Sequence, residues 1–382
     1  SSHFGSSLKQ VQVEPSAHAS NAQCSLKLKE NQLCSHPGEA LAMQSSRATC
    51  FLSFLQIVAL ALLARRTAAL QIVNGSIVTQ PLVNFSFFAL PTLSAGSDIW
   101  LGCGASIISP TFALSSAHCF GGGTAPCSRP KTVAVWVGDV EMQANEIKPK
   151  AGSKSFRTTA TLVCHASFDG KCSHGHDLAL LKLDTAVPAW VTPVPLNLQG
   201  TGKDKANDLA TIVGYGFYES RTDSTLITDD TSSQIRQASV SVLGTNSAQC
   251  STVFSGGWGC SDAASEGSAK NKHQQLCAGS ALTAATTRDT CAGDSGSPML
   301  DANGVQVAIV SYGGGPGAKK QGPGRSCGDP HYPGIYARVS AFAAYIKAQV
   351  PDLPSVATSS LTKDDEGQSA LVRRASVKPH DA

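Results

Sequence analysis

Thirteen cysteines are scattered along the 382 residues of this chain with no Cys-x-x-Cys pair among them. Closely spaced thiolates are how a chain builds a zinc site, so their absence turns the reading to disulfides formed in an oxidising compartment. Only 15% of residues are charged, against about a quarter in an ordinary globular protein, while Gly, Ser, Thr and Ala are abundant and helix-favouring Glu/Lys patterns are scarce. That balance predicts a β-rich, loop-rich globule, and the length leaves room for two or three domains and a large core. The net charge is +3 with no basic run, and nothing points to nucleic acid.

The expected address agrees with the cysteines. From Met43 to Ala64 a short basic n-region is followed by a mostly apolar stretch, with Thr67-Ala68-Ala69 offering small residues for cleavage, the pattern of a secretory signal over 43–69. The stretch is too short for a comfortable membrane span, so no stable membrane insertion is expected. Residues 1–42 are polar and unpatterned and read as an upstream or disordered extension. Residues 351–382, polar and of mixed charge, read as a disordered tail.

Three stretches carry chemistry. Asp289-Thr-Cys-Ala-Gly-Asp-Ser-Gly-Ser-Pro298 places a serine between glycines, with a carboxylate before it and a proline three residues later. It is poor material for a helix or regular strand and predicts a tight loop rich in exposed backbone. Ala113-Leu-Ser-Ser-Ala-His-Cys-Phe120 sets a histidine after an apolar run and beside a cysteine. In Gly175-His-Asp-Leu-Ala-Leu-Leu-Lys-Leu183, Asp177 opens a run apolar enough for a buried strand. In the order His, Asp, Ser, these stretches resemble the chymotrypsin/trypsin-like serine protease family, and the resemblance covers residues 72–350.

The resemblance implies an all-β fold of two six-stranded antiparallel barrels, about 72–200 and 201–350, with a C-terminal helix and the site in the cleft between them. It implies Ser295 as nucleophile, His118 as general base and then acid, and Asp177 as the carboxylate that holds the imidazole. Asp169 competes for that last role, but it lies in a Phe-Asp-Gly turn. The amides of Gly293 and Ser295 would form the oxyanion hole. Asp289, with Thr290, Ser311, Tyr312, Gly313 and Gly334, would form a pocket for Arg or Lys, Tyr312 standing where tryptophan is commoner. A freed Ile72 amine would pair with Asp294. The residue before Ile72 is Gln71, not Arg or Lys, so 70–71 reads as a two-residue pro-segment removed by some other enzyme. Implied disulfides are Cys103–Cys119, Cys250–Cys277 and Cys291–Cys327. Ala210 and Asp301 occupy the positions of a further cysteine pair found in many relatives.

Other readings come from the residues themselves. Cys164 and Cys172 flank a short insertion and could close it as a local loop, Cys127 and Cys260 are either paired or free, and the residues leave the pairing of these four open. Strands are expected at 105–110, 132–137, 178–183, 210–216 and 305–312, with Asn303-Gly304 as a two-residue hairpin turn, and a helix at 340–350 ended by Pro351. His174 and His176 read as a solvated loop and no metal is expected. Asn74-Gly-Ser76 and Asn84-Phe-Ser86 are glycosylation sequons, Asn84 being favoured because Asn74 lies near the inserted terminus. The insertion from Gly313 to Gly324, with Lys319 and Lys320, and Ser297 in place of a usual glycine depart from the family's pattern. The expected protein is a monomeric, cofactor-free, secreted endopeptidase acting on protein or peptide substrates with Arg or Lys at the cleaved bond, and open to protein inhibitors. The alternatives are a secreted binding protein on a silent protease fold, or an esterase.

Overall fold

The computed structural model describes residues 71–354 apart from 95–97, 122–126, 128–131, 144–145, 201–204, 217–233, 257–259, 261–267 and 314–326, together with a short pairing of Thr362–Lys363 with Ser369–Ala370. The expected signal peptide and most of the Gly313–Gly324 insertion fall outside the described residues.

The N-terminal half folds as β2 (Phe88–Ser94), β3 (Asp98–Trp100), β4 (Ala105–Ser109), β5 (Phe112–Ser115), β6 (Thr132–Gly138), β7 (Val140–Gln143), β8 (Glu146–Pro149), β9 (Ser155–Cys164) and β10 (Ala179–Leu183), preceded by a two-residue β1 (Ser76–Ile77). Strand β2 pairs with both β6 and β4, closing the ring β2-β4-β5-β10-β9-β6, while β3, β8 and β7 extend from it. The C-terminal half contributes β11 (Leu209–Gly214), β12 (Arg236–Leu243), β13 (Gln275–Gly279), β14 (Pro298–Leu300), β15 (Gln306–Tyr312) and β16 (Gly334–Arg338). Here β12 pairs with β13 as well as β11, closing a second six-stranded antiparallel barrel, with β1 added on its edge.

Sequence patterning explains which strands lie where. In β12 the side chains of Ala238, Val240 and Val242 are buried and the intervening Ser239 is exposed, the period-2 signature of a sheet with one wet face. In β10 Leu180, Leu181 and Leu183 are all buried, as a strand covered on both faces requires. Each such leucine contributes roughly 1.5–3 kcal/mol relative to exposure. The hairpin between β14 and β15 forms where Asn303-Gly304 predicts one, but with a longer turn. Asp301 N donates to Val305 O at 2.8 Å and Gly304 N to Asp301 O at 3.0 Å, and of the turn residues only Gly304 adopts a positive φ, 72°. That is a three-residue loop rather than the two-residue turn, because Asp301 folds its own Oδ1 onto the amides of Asn303 and Val305 and so stabilises the wider geometry. The closing segment opens as a 3-10 turn, Val339–Phe342, before the α-helix Ala343–Gln349.

Three implied disulfides are present, Cys103–Cys119, Cys250–Cys277 and Cys291–Cys327. Of the pairings left open, the local closure of Cys164 onto Cys172 is not the one formed. Cys164 joins Cys127, and Cys172 joins Cys260. The latter ties the loop before Asp177 in one barrel to the segment after the helix Ala248–Ser255 in the other, across a sequence separation of 88. Hydrogen bonds run beside it: Ser173 O accepts from Lys270 N, and His174 O from Asn271 Nδ2. In the chain-entropy picture a closure of that length is worth about 4 to 5 kcal/mol.

Candidate active site

His118 lies on the 3-10 turn Ala117–Phe120 directly after β5, and Asp177 immediately before β10, which pairs with β5. Pairing of those two strands brings the residues together. His118 Nδ1 lies 2.8 Å from Asp177 Oδ2, and the His118 amide donates to Asp177 Oδ1 at 2.9 Å. Ser311 Oγ at the end of β15 donates to the same Oδ2 at 2.5 Å. Asp177 is only 1% exposed. Burial alone would push its carboxyl up, but the His118 charge, the bonds from His118 and that from Ser311 outweigh it and hold the group below the ordinary aspartate value. A carboxylate so held stays ionised and fixes the imidazole with Nδ1 protonated, leaving Nε2 as the basic nitrogen.

The serine loop comes from the other barrel and is pinned by backbone. Ser295 O accepts from Gly104 N at 2.7 Å, and Gly296 N donates to Val310 O at 2.9 Å. Gly104 adjoins Cys103, whose disulfide partner Cys119 adjoins His118, so one short path ties the serine loop to the histidine. Gly296 has φ 80°, and a Cβ there would lie 2.3 Å from both Gly104 O and Ser115 Oγ, so only glycine permits this docking. Among the described residues, the amides of Gly293 and Ser295 donate to nothing. Ser297 is fully buried, and its hydroxyl has no hydrogen-bond partner among them.

Asp289 lies at 3% exposure, its Oδ1 accepting from Thr290 N at 2.8 Å and its Oδ2 from Gly328 N at 3.1 Å. Burial pushes its carboxyl up to about 7, against the pull of those amides. A Cβ on Gly334 would stand 3.0 Å from Asp289 Oδ1, so glycine keeps the carboxylate open. Thr290 Oγ1 lies 3.3 Å from the buried Tyr336 hydroxyl. The Tyr312 hydroxyl donates to Gln275 Oε1 at 2.7 Å, and Gly313, which follows β15, is exposed. Asp294 is fully buried, accepts from Gly216 N at 2.8 Å and Cys291 N at 2.9 Å, and is pushed up to about 7 by burial. Ile72 is likewise fully buried, and Val73 bridges to Asp289.

Two features escaped the sequence. Ser311, expected only as part of the pocket for Arg or Lys, directs its hydroxyl to Asp177. The Cys172–Cys260 bridge sits against the same pair: both sulfurs and a ring nitrogen of His118 lie within 4.8 Å of one another, and Cys172 Sγ is 3.2 Å from Asp177 Oδ2. A bridged sulfur carries no proton, so that contact is packing. The cysteines of this group, and of the other close group, Cys103, His118 and Cys119, are all in disulfides and cannot ligate as thiolates. His174 and His176 are not the expected solvated pair. His174 Nδ1 contacts Asp169 at 2.6 Å, while His176 stacks on His165 at 5.0 Å between ring centres. Burial first, and then its neighbour's charge, lowers the His165 pKa.

Two closed barrels with a His–Asp pair on one and a glycine-flanked serine loop on the other define a chymotrypsin-like serine protease architecture. The family model described as Trypsin matches residues 91–346, and the chain belongs to that family. Among curated relatives it is 27% identical over 260 residues to transmembrane protease serine 7 of Mus musculus, a match covering 66% of this chain and 26% of that protein. It thus spans about a quarter of that relative's length. It is 26% identical over 249 residues to Trypsin-1 of Astacus astacus, covering 64% of this chain and 86% of the relative. A solved structure of neuropsin, a serine protease expressed in the limbic system of mouse brain, shares the fold with a TM-score of 0.51 and 22% identity, covering 73% of this chain and 99% of that one. No described helix is long and apolar enough to cross a membrane.

Proposed function

We propose that this chain is a secreted serine endopeptidase that cleaves after Arg or Lys through an acyl-enzyme. The observation that carries the proposal is the buried, doubly bonded His118–Asp177 pair. His118 takes the Ser295 proton as the hydroxyl attacks the scissile carbonyl. The oxyanion enters the two undonated amides of Gly293 and Ser295, and His118 then protonates the leaving amine. Water repeats the sequence to release the acid. Asp289 receives the guanidinium or ammonium of the substrate. In protein trimmed to begin at Ile72, a serine-directed phosphonate bearing a guanidinium side chain is expected to label Ser295 and to leave Ser295→Ala untouched. An unlabelled wild-type protein sinks the proposal and favours a silent binding fold.

Activation rests on Ile72. In the continuous chain its nitrogen is an amide, and the residue is held at φ 41°, with Asn74 at φ 56°. A β-branched residue in that region is strained, which supports a chain that is cut there and relaxes. The freed ammonium would then face Asp294. The pH dependence follows from Asp289 and Asp294, whose folded values near 7 lie above the ~3.9 of an unfolded aspartate. The folded uncut chain therefore retains protons that the unfolded chain has lost, and its stability falls as pH rises from about 4 to 7. After cutting, the ammonium keeps Asp294 ionised, so that part of the loss is removed. Thermal melts of both forms between pH 5 and 8 are expected to show the steeper decline in the uncut chain, and parallel curves would overturn the pairing. In the cut form, activity is expected to fall at alkaline pH. The pairing is fully present below the ~8 of a free amine and is lost as pH climbs through the raised value of the paired one.

A further inference from the structure

Away from the triad, a groove of about 610 Å³ opens on the outside of the second barrel, lined in part by both sequon asparagines, Asn74 and Asn84. Its volume falls within the roughly 300–1,000 Å³ of small-molecule clefts. Ala210 and Asp301, the two positions where many relatives carry cysteines, both line it.

The asparagines differ in what their side chains do. The Asn74 Nδ2 is turned inward and donates to Thr287 O at 2.6 Å, on a residue with φ 56° two positions from the fully buried Ile72. Asn84 ends the single helical turn Pro81–Asn84, and its carboxamide bonds to no described residue. The groove beside it is mixed in character. The 62%-exposed Leu209 gives apolar surface, with the largely buried Phe85 and Leu300 behind it, while the side chains of Thr211 and Gln237 bond to no described residue. Asp301 is 8% exposed, and its Oδ1 is taken by the amides of Asn303 and Val305, whereas its Oδ2 accepts from no described residue. Apolar patches interrupted by unpaired acceptors suit a pyranose ring, whose C–H faces pack on hydrocarbon while its hydroxyl and acetamido groups need partners.

We propose that Asn84 carries an N-linked glycan and that its first N-acetylhexosamine rings lie in this groove, against Leu209 and Phe85 and within reach of Asp301. The transfer forms a bond from Asn84 Nδ2 to the anomeric carbon of the donor sugar. It breaks that carbon's bond to a lipid-linked diphosphate, which leaves as the diphosphate while the amide gives up one proton. It takes place on the nascent chain, before Ser86 of the sequon is buried with its Oγ accepting from Thr192 N. A chain glycosylated at Asn74 could not close the Asn74 Nδ2–Thr287 O contact, so the chains that reach this fold are those left bare at Asn74. The proposal rests on the secretory reading of the chain, so its test supplies the route independently.

The full chain is translated with microsomal membranes behind a cleavable signal sequence, and glycopeptides are read by mass spectrometry. In the folded, protease-resistant fraction one occupied site is expected, abolished by Asn84→Gln and unchanged by Asn74→Gln. An unoccupied Asn84 overturns the proposal whatever the protein's natural address. Seating is read on the same material as the rate at which an endoglycosidase cuts between the first two sugars, native against denatured. Native cutting at least tenfold slower is expected, with Leu209→Asp and Gln237→Ala each restoring much of the rate. Equal rates in native and denatured wild type overturn the seat without needing any variant to fold.

Discussion

Exchange of Asp289 for serine is expected to lower kcat/KM on arginyl and lysyl peptides by roughly 10⁴-fold, the penalty when a site built around one polar partner loses it. Cleavage after small uncharged residues is expected to change little. Asp289 is buried under the amides of Thr290 and Gly328 with no cation among the described residues. In the proposed pocket the carboxylate would gain most of its stabilisation from the cation of an arginyl or lysyl substrate, which is the basis for the expected discrimination. The same physics predicts a second effect. A carboxyl pushed up to about 7 by burial destabilises the empty fold above that pH, so Asp289→Ser is expected to melt at a higher temperature than wild type at pH 8. Steady-state kinetics and melts on one preparation check both, and undiminished hydrolysis after arginine would remove Asp289 from the pocket.

Asp177→Asn is expected to reduce kcat by roughly 10⁴-fold with KM nearly unchanged, the size of effect that follows when the imidazole is held in the wrong tautomer. Asp177 uses both oxygens as acceptors, Oδ1 for the His118 amide and Oδ2 for Nδ1 and Ser311 Oγ. A carboxamide offers one acceptor and one donor. Whichever way it turns, either the amide bond is lost or an N–H faces Nδ1 and drives the ring proton to Nε2, where Ser295 needs a base. The substitution is nearly isosteric, so the fold should be kept, and melting should show it. A variant retaining kcat within tenfold of wild type would mean that Asp177 does not orient the histidine.

Much of this site was legible because its parts are local motifs. A histidine beside a cysteine, an aspartate opening an apolar run and a serine between glycines each sit within ten residues, and barrel closure follows from alternating strands with turn residues between them. What stayed hidden depends on contacts far apart in the chain. Ser311 reaches Asp177 across 134 positions, and no local pattern marks a strand-end serine as a partner of that carboxylate. The cysteines show the same limit. Cys164 and Cys172 are eight apart and invite a local closure, yet β9 and the turn before Asp177 direct them to different partners, one to Cys127 and one across to the second barrel. The Asn303-Gly304 signal located the hairpin correctly but not its width, because the side chain of Asp301, outside the dipeptide, decides it. The closing helix came out shorter than its apolar spacing predicts because its first turn is wound as a tighter 3-10 segment.

The Cys172–Cys260 bridge constrains how the two barrels can move. Histidine and aspartate stand on one half of the molecule and the serine loop on the other, and a covalent weld joins those halves within a few ångströms of the His118–Asp177 pair. If the chain acts as proposed, substrate would enter and products leave through motions of side chains and rim loops, with no hinge-like parting of the halves on the welded side. In a thiol-rich medium that weld would open to two separate thiols, and the one on Cys172, 3.2 Å from Asp177 Oδ2, could donate a hydrogen bond to the carboxylate that holds His118.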